Sequence, residues 1–389
     1  MKLADRMSRL GTETAFDVLA KAKALEKQGK KIIHLEIGEP DFDTPLNIKE
    51  AAAKAIFAGH THYVSAAGIP ELRQAIAVHV SRTRRIDVDP EEVVVTPGAK
   101  PIIFHTILAC VNKGEEVMYP NPGFPIYESM INFVGAKPVP IPLKEENDFR
   151  LNPEYLKSKL NDKTKLIILN SPSNPTGGVL TWEDLKAIAD AVANRKDLLI
   201  LSDEIYSEII FDGKHESIAS IEGMREKTII LDGFSKTYAM TGWRLGYGVM
   251  PKGLCPRVTQ LIINSNSCTS AFTQIAGIEA LNGPQDKVKE YVEEFKKRRE
   301  IIVAGLNDID GITCLRPRGT FYVFPNVTGT AMKSQDLSDR LLEDADVAVL
   351  SGTAFGKFGE GYLRISFANS VENINKALVA ISKFLEHTN

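Results

Sequence analysis

One lysine is placed to do chemistry. Lys236 lies in Ser235-Lys236-Thr237-Tyr238-Ala239-Met240-Thr241-Gly242-Trp243-Arg244, just after the apolar run Thr228-Ile229-Ile230-Leu231. A lysine held at a strand end and shielded from water loses its proton readily. It then forms a Schiff base with an aldehyde. Arg244, eight residues on, offers the planar fork that clamps a phosphate. An aldehyde and a phosphate carried by one small molecule point to pyridoxal 5'-phosphate (PLP).

Three further polar clusters follow strand-like runs. In Thr96-Pro97-Gly98-Ala99-Lys100 the small residues let backbone approach a phosphate, and the helix that follows offers free N–H groups. Read alone, it is equally an ordinary strand–helix turn. The loop Asn170-Ser171-Pro172-Ser173-Asn174-Pro175-Thr176-Gly177-Gly178 is stiff enough to aim the Asn174 amide, or is simply a rigid turn. Its Asn174–Pro175 bond is a candidate cis bond. In Ser202-Asp203-Glu204-Ile205-Tyr206, Asp203 ends a buried strand, where a carboxylate is costly unless paired. A protonated pyridine nitrogen would pair with it and keep the ring an electron sink. Tyr206 is in range of a ring hydroxyl. A helix cap and a core aromatic are the plain alternatives for these two residues.

These clusters need a scaffold. Strand candidates are Val93–Thr96, Glu116–Tyr119, Lys137–Ile141, Leu166–Asn170, Leu198–Ser202, Thr228–Leu231 and Leu245–Met250, alternating with helical patterns such as Pro101–Val111 and Thr181–Asn194. Thr181 with Asp184 three residues on reads as a helix start. The alternation predicts an α/β fold with a mostly parallel sheet covered on both faces. In such a sheet, ligands bind at the carboxyl ends of the strands. The chain ends read differently. Thr12–Gln28 is an amphipathic helix and Ile32–Ile37 a strand. A long charged helix follows Pro284. Strands at Phe321–Phe324, Val347–Leu350 and Tyr362–Phe367 then mix with helices at Ser334–Glu343 and Val371–Glu386. The expected organisation is a large cofactor-binding domain over 45–285. A smaller α+β domain is built from 1–44 and 286–389, and the long helix bridges the two.

Composition narrows the function. With 389 residues and a net charge of −3, the chain gives no sign of a nucleic-acid partner. The basic run Lys296-Lys297-Arg298-Arg299 lies among glutamates and reads as a solvated helix face. Four dispersed cysteines, with no CxxC pair, argue against a disulfide scaffold or a zinc site and fit a reducing cytoplasm. There is no apolar run long enough for a membrane span and no signal-peptide core at the start. No GxxxxGK[ST] motif occurs, and no GxGxxG follows a strand. The glycine-rich Gly356–Gly361 precedes a strand and reads as a loop.

Taken in order, these segments resemble the fold-type I PLP enzymes, and within them the class I aminotransferases related to aspartate aminotransferase. The match adds Gly38-Glu39-Pro40-Asp41-Phe42-Asp43-Thr44-Pro45, His62-Tyr63 with Gly68-Ile69-Pro70-Glu71-Leu72-Arg73, Gly319-Thr320-Phe321-Tyr322 and Tyr362-Leu363-Arg364-Ile365-Ser366. The resemblance implies that Lys236 is the aldimine lysine, that Asp203 pairs with the pyridine nitrogen, and that Tyr206 and Asn174 hold the ring oxygen. Phe124 would stack on the ring. Gly98, Ala99, Ser235 and Arg244 would cradle the phosphate, with Lys100 alongside. Tyr63 would reach the phosphate of a second subunit, which implies a homodimer with shared sites. Arg364 would grip the substrate α-carboxylate, with Gly38 lining the same pocket. The implied reaction is ping-pong transfer of an amino group from an L-amino acid to a 2-oxo acid such as 2-oxoglutarate, with Lys236 moving the proton.

The donor is less defined. A lysine at the place of Lys100 is able to meet the distal carboxylate of aspartate, which favours an aspartate-like donor. The arm Ser8-Arg9-Leu10-Gly11-Thr12-Glu13 departs from aspartate and prephenate patterns. Aromatic or alanine donors, or a PLP-dependent lyase on the same fold, are the alternatives. A cofactor-free aldolase would leave Asp203, Tyr206 and Arg244 without purpose. A regulator of this fold would need an added DNA-binding domain, for which no residues remain.

Overall fold

The computed structural model describes residues 1–387. Among these the chain forms twelve strands. The first is β1, Ile33–His34. Seven follow in the middle of the chain: β2, Val93–Thr96; β3, Glu116–Asn121; β4, Lys137–Pro142; β5, Thr164–Asn170; β6, Leu199–Asp203; β7, Thr228–Gly233; and β8, Gly246–Val249. Four come late: β9, Tyr322–Val323; β10, Val347–Ala348; β11, Leu350–Ser351; and β12, Leu363–Ser366.

The seven middle strands make one sheet in the order β2-β8-β7-β6-β5-β3-β4. Every neighbouring pair is parallel except those made by β8, which runs antiparallel to β2 and β7. The reversal has a simple cause. Parallel strands need a long crossover, whereas β7 returns into β8 through residues 234–245 without a helix, so the two must be antiparallel. That short return carries Lys236.

Both faces of the sheet are covered. Val93 and Val95 of β2 pack with Ile48, Leu72 and Ala276 from the helices Leu46–Phe57, Pro70–Arg84 and Ala271–Asn282. Val94, between them, packs on the opposite face with Ile102 and Ile107 of helix Lys100–Cys110 and Val258 of helix Cys255–Ser265. This is the period of two that a pleated strand imposes. Helix Trp182–Val192 begins as expected, with the Thr181 hydroxyl accepting from the Asp184 N–H and the Asp184 carboxylate from the Thr181 N–H.

The late strands form two small sheets. β12 sits between β11 and β9, antiparallel to both, and β1 pairs in parallel with β10. Two sequence expectations are corrected here. The run Ile32–Ile37 yields only the two-residue β1, because its later backbone turns to serve the site described below. Val347–Leu350 divides between β10 and β11, which belong to different sheets.

The basic run on the long helix Asp286–Asn307 is also not a solvated face throughout. Lys297 is exposed, but Arg298 and Arg299 are buried. Arg298 pairs with Asp41 at 2.7 Å and lies over the Phe42 ring. Arg299 pairs with Asp212 at 2.5 Å, donates to the Pro317 carbonyl at 2.9 Å and stacks on Phe211. Charge pattern alone hides this, because arginine buries its stem and stacks while its fork stays paired.

Candidate active site

The carboxyl ends of β2, β3, β5, β6 and β7 open on one cavity of about 540 Å³, with Arg364 of β12 reaching in from the small sheet. Lys236 lines it and is partly buried. Its Nζ donates to the Gly38 carbonyl at 2.6 Å. Loss of water around the amine, with Arg364 and Arg244 nearby, pulls its pKa down to about 8 despite the opposing carboxylates of Glu39 and Glu13. Near neutrality this lysine therefore gives up its proton far more easily than a surface lysine.

Asp203 closes β6 facing the cavity. Its Oδ2 accepts from the Tyr127 hydroxyl at 2.6 Å and its Oδ1 from the Ile205 N–H at 3.3 Å. Burial raises its pKa to about 6, against the pull of those two bonds. The Tyr206 hydroxyl lies 2.9 Å from that of Tyr322, and burial holds its pKa well above the ordinary range.

Arg364 is buried over the rings of Tyr322 and Phe355, 4.5 and 4.9 Å from their centroids. It donates to Asn174 Oδ1 at 3.3 Å and to the Glu36 carbonyl. Its Nε is buried with no hydrogen-bond partner among the described residues. Asn174 is held by its own N–H, which donates to Asn170 Oδ1 at 2.9 Å, and the Asn174–Pro175 bond is cis.

Gly98 has φ +85°, and a Cβ there would sit 2.1 Å from Arg244 Nη2. Glycine is thus the residue that lets the guanidinium approach the turn. Arg244 itself has φ +55° and donates to the Thr241 carbonyl at 2.6 Å. Ala99 precedes helix Lys100–Cys110, and Ser235 precedes Lys236; both line the cavity, as does Phe124. Lys100 Nζ lies 5.2 Å from the Phe124 centroid and forms an ion pair with Glu13.

The fold thus brings Gly38, Ala99, Lys100, Phe124, Asn174, Asp203, Tyr206, Ser235, Lys236, Arg244 and Arg364 to one cavity, with Gly98 at its edge against Arg244. Tyr63 is not among them; within one chain it is 88% exposed. Of the lining residues to which the sequence reading gives no role, three enter the account below. Tyr127 stands three residues after Phe124, Tyr322 belongs to a motif that carries no assigned role, and Glu13 lies in the N-terminal arm.

Immediately behind the site, Glu204 points the other way. It accepts from Arg84 Nε at 2.9 Å, Ser217 at 2.6 Å and Ser202 at 2.8 Å, and pairs with His215 at 2.9 Å. Arg84 also donates to Asp232 at 2.6 Å. Burial works against the Glu204 charge, yet His215, Arg84 and Ser217 hold its pKa down to about 2.

The chain is similar to known proteins along nearly its whole length. Residues 30–381 match the family described as aminotransferase class I and II. The chain is 43% identical to an aspartate aminotransferase of Pyrococcus abyssi over 92% of both chains. It is 40% identical to an aromatic-amino-acid aminotransferase 2 of Thermococcus litoralis over 99% of both. The structure of aspartate aminotransferase from Thermus thermophilus with maleate superposes with a TM-score of 0.93 at 36% identity, covering 98% of this chain and 99% of that one.

Proposed function

The chain belongs to the class I and II aminotransferases, PLP-dependent enzymes with ping-pong transfer and 2-oxoglutarate as the usual acceptor, and from that premise we propose that its preferred donor is an aspartate-like L-amino acid. The observation that carries the donor reading is the pair of cations lining one cavity. Arg364 is buried deep with an unused N–H, and Lys100 stands at the rim. A dicarboxylate spans two such cations. Maleate, the molecule that accompanies the Thermus enzyme, is a dicarboxylate too, which supports the reading.

The residues fit PLP. A buried carboxylate faces the cavity with only two hydrogen bonds, and a glycine leaves Arg244 room to close on the turn. We assign Asp203 to the pyridine nitrogen, Tyr206 and Asn174 to the ring oxygen, and Phe124 to the ring face. Gly98, Ala99, Ser235 and Arg244 hold the phosphate, with Lys100 at their edge. When bound, PLP supplies an aldehyde for the amine and a ring that draws electrons from the neighbouring carbon.

The chain's own groups do the rest. Arg364 fixes the α-carboxylate, which sets the angle at which the substrate Cα meets Lys236. Lys236, with its lowered pKa, is placed to accept the Cα proton of the donor and then, as an acid, to pass it on rather than back. Tyr127 donates to Asp203 and keeps that carboxylate aimed at the cavity. Gly38, through its carbonyl, holds Lys236 Nζ at the cavity wall.

Three coarser readings complete the proposal. The large domain spans 45–285 and the small one 1–44 with 286–389, in keeping with where the sheets fall along the chain. Tyr63, exposed here, reaches the phosphate of a second copy in a homodimer, and exposed Phe57, a little earlier in the chain, adds apolar surface. The enzyme is cytoplasmic, consistent with four free cysteines; among the described residues no helix is long and apolar enough to cross a membrane.

The test is a spectral titration of the PLP-loaded protein with single amino acids and no acceptor. L-Aspartate should shift the visible band at the lowest concentration and yield one equivalent of oxaloacetate. Phenylalanine or alanine acting at lower concentration would overturn the donor assignment. Continuous release of ammonia would point to a lyase.

A further inference from the structure

Lys100 already has a carboxylate. Glu13, in the arm before helix Thr14–Glu26, pairs with Lys100 Nζ at the cavity rim. Glu13 occupies the cap position of that helix, yet its side chain makes no capping bond. The side chains that usually cap a helix are those of Ser, Thr, Asn and Asp, so the longer Glu13 side chain is free of that duty. Here it reaches across the rim to Lys100 instead.

The arm that presents it is tied down. The Gly11 N–H donates to the Ser129 hydroxyl at 2.9 Å, and Arg9 donates to the Asn132 carbonyl at 3.0 Å. Both partners lie on helix Ile126–Phe133, the helix that carries Tyr127. Glu13 also acts inside the cavity: its charge favours the protonated forms of Lys236, Tyr322 and Arg364.

We propose that Glu13 is a displaceable counter-ion of Lys100 that sets how the pocket weighs acidic against neutral side chains. This rests on the reading of Lys100 as the contact for a distal carboxylate. A dicarboxylate anchored by Arg364 must push Glu13 off Lys100. A neutral or aromatic side chain leaves the Glu13–Lys100 pair in place and meets no such penalty. The Lys100 and Glu13 side chains are 40% and 22% exposed, so water screens the pair and it breaks at small cost. Because Glu13 is tethered, it nevertheless competes at high effective concentration. One pocket thereby accepts both charge classes, with acidic selectivity lower than two bare cations would give.

The test measures binding of two non-reacting ligands to the PLP-loaded enzyme by calorimetry. Succinate has a distal carboxylate; 3-phenylpropionate does not. Glu13→Gln should tighten succinate about threefold to tenfold, the scale of a partly exposed ion pair, and change 3-phenylpropionate less. Lys100→Met should weaken succinate relative to 3-phenylpropionate. If Lys100→Met leaves that ratio unchanged, the Lys100 reading fails and takes the inference with it. If Lys100→Met acts as expected but Glu13→Gln leaves succinate unchanged or weaker, the donor reading stands and the role of Glu13 is overturned.

Discussion

Asp203 and Glu204 are neighbours in the chain and opposites in the fold. Both are buried acids at the end of β6. Asp203 faces the cavity with a tyrosine hydroxyl and one backbone N–H, and burial lifts its pKa to about 6. Glu204 faces the scaffold, where His215, Arg84 and Ser217 hold it near 2 against burial and Ser202 adds a hydrogen bond. On the scaffold side the chain surrounds the Glu204 charge with its own groups. On the cavity side it leaves charges short of partners: among the described residues Asp203 lacks a cation and Arg364 has an idle Nε, and Lys236 is pressed toward neutrality. Incomplete pairing of buried charge marks where a molecule from outside belongs.

Substituting the two acids separates the roles. Asp203→Ala should lower kcat/KM at least about 100-fold, the scale of losing one preorganised contact at a reacting centre, with little loss of stability in the apoprotein. Glu204→Leu should do the reverse. Removing one partner of a buried pair costs about 3–5 kcal/mol, visible in urea melts, while turnover of the folded fraction falls less than about tenfold. If both variants lose activity and stability alike, the contrast between the two faces is wrong.

His34 sharpens the comparison from an intermediate position. It pairs with buried Glu36, the residue whose carbonyl receives Arg364, at 2.8 Å and with Glu26 at 3.2 Å. The hydrogen bond to Glu36 raises its pKa from 6.5 to about 8. The folded chain therefore binds this proton more tightly than the unfolded one. The gain is complete below about pH 6.5 and is lost as pH rises through 8. After allowance for exposure it amounts to about 1 kcal/mol. Urea midpoints taken from pH 6 to 9 should fall less steeply in His34→Gln than in the parent; parallel curves would remove the pair from the account.

Much of this is legible in the sequence, for identifiable reasons. All seven strands of the main sheet can be placed to within a few residues, because most are buried apolar runs bounded by turns; β4, a half-buried edge strand with three prolines, is the exception. Lys236, Asp203 and Asn174 are readable because polar residues at strand ends stand out against those runs. What escapes is long-range. Tyr127 reads as one more core aromatic until Asp203 is brought opposite it. Glu13 and Arg84 meet Lys100 and Glu204 across 87 and 120 residues, distances that no local pattern encodes. The run Ile32–Ile37 looks like a full strand, but nearby backbone carbonyls are taken up by the site: Glu36 serves Arg364, and Gly38 just beyond serves Lys236.

The central claim is that Lys236 is the residue that bonds to the cofactor. Borohydride reduction of the PLP-loaded protein, followed by digestion and mass spectrometry, tests it directly. One phosphopyridoxyl group should appear on the peptide containing Lys236, and none in Lys236→Ala, which should still bind PLP reversibly but not turn over. A label on Lys100 or any other lysine, or no label in the parent protein, would contradict the account.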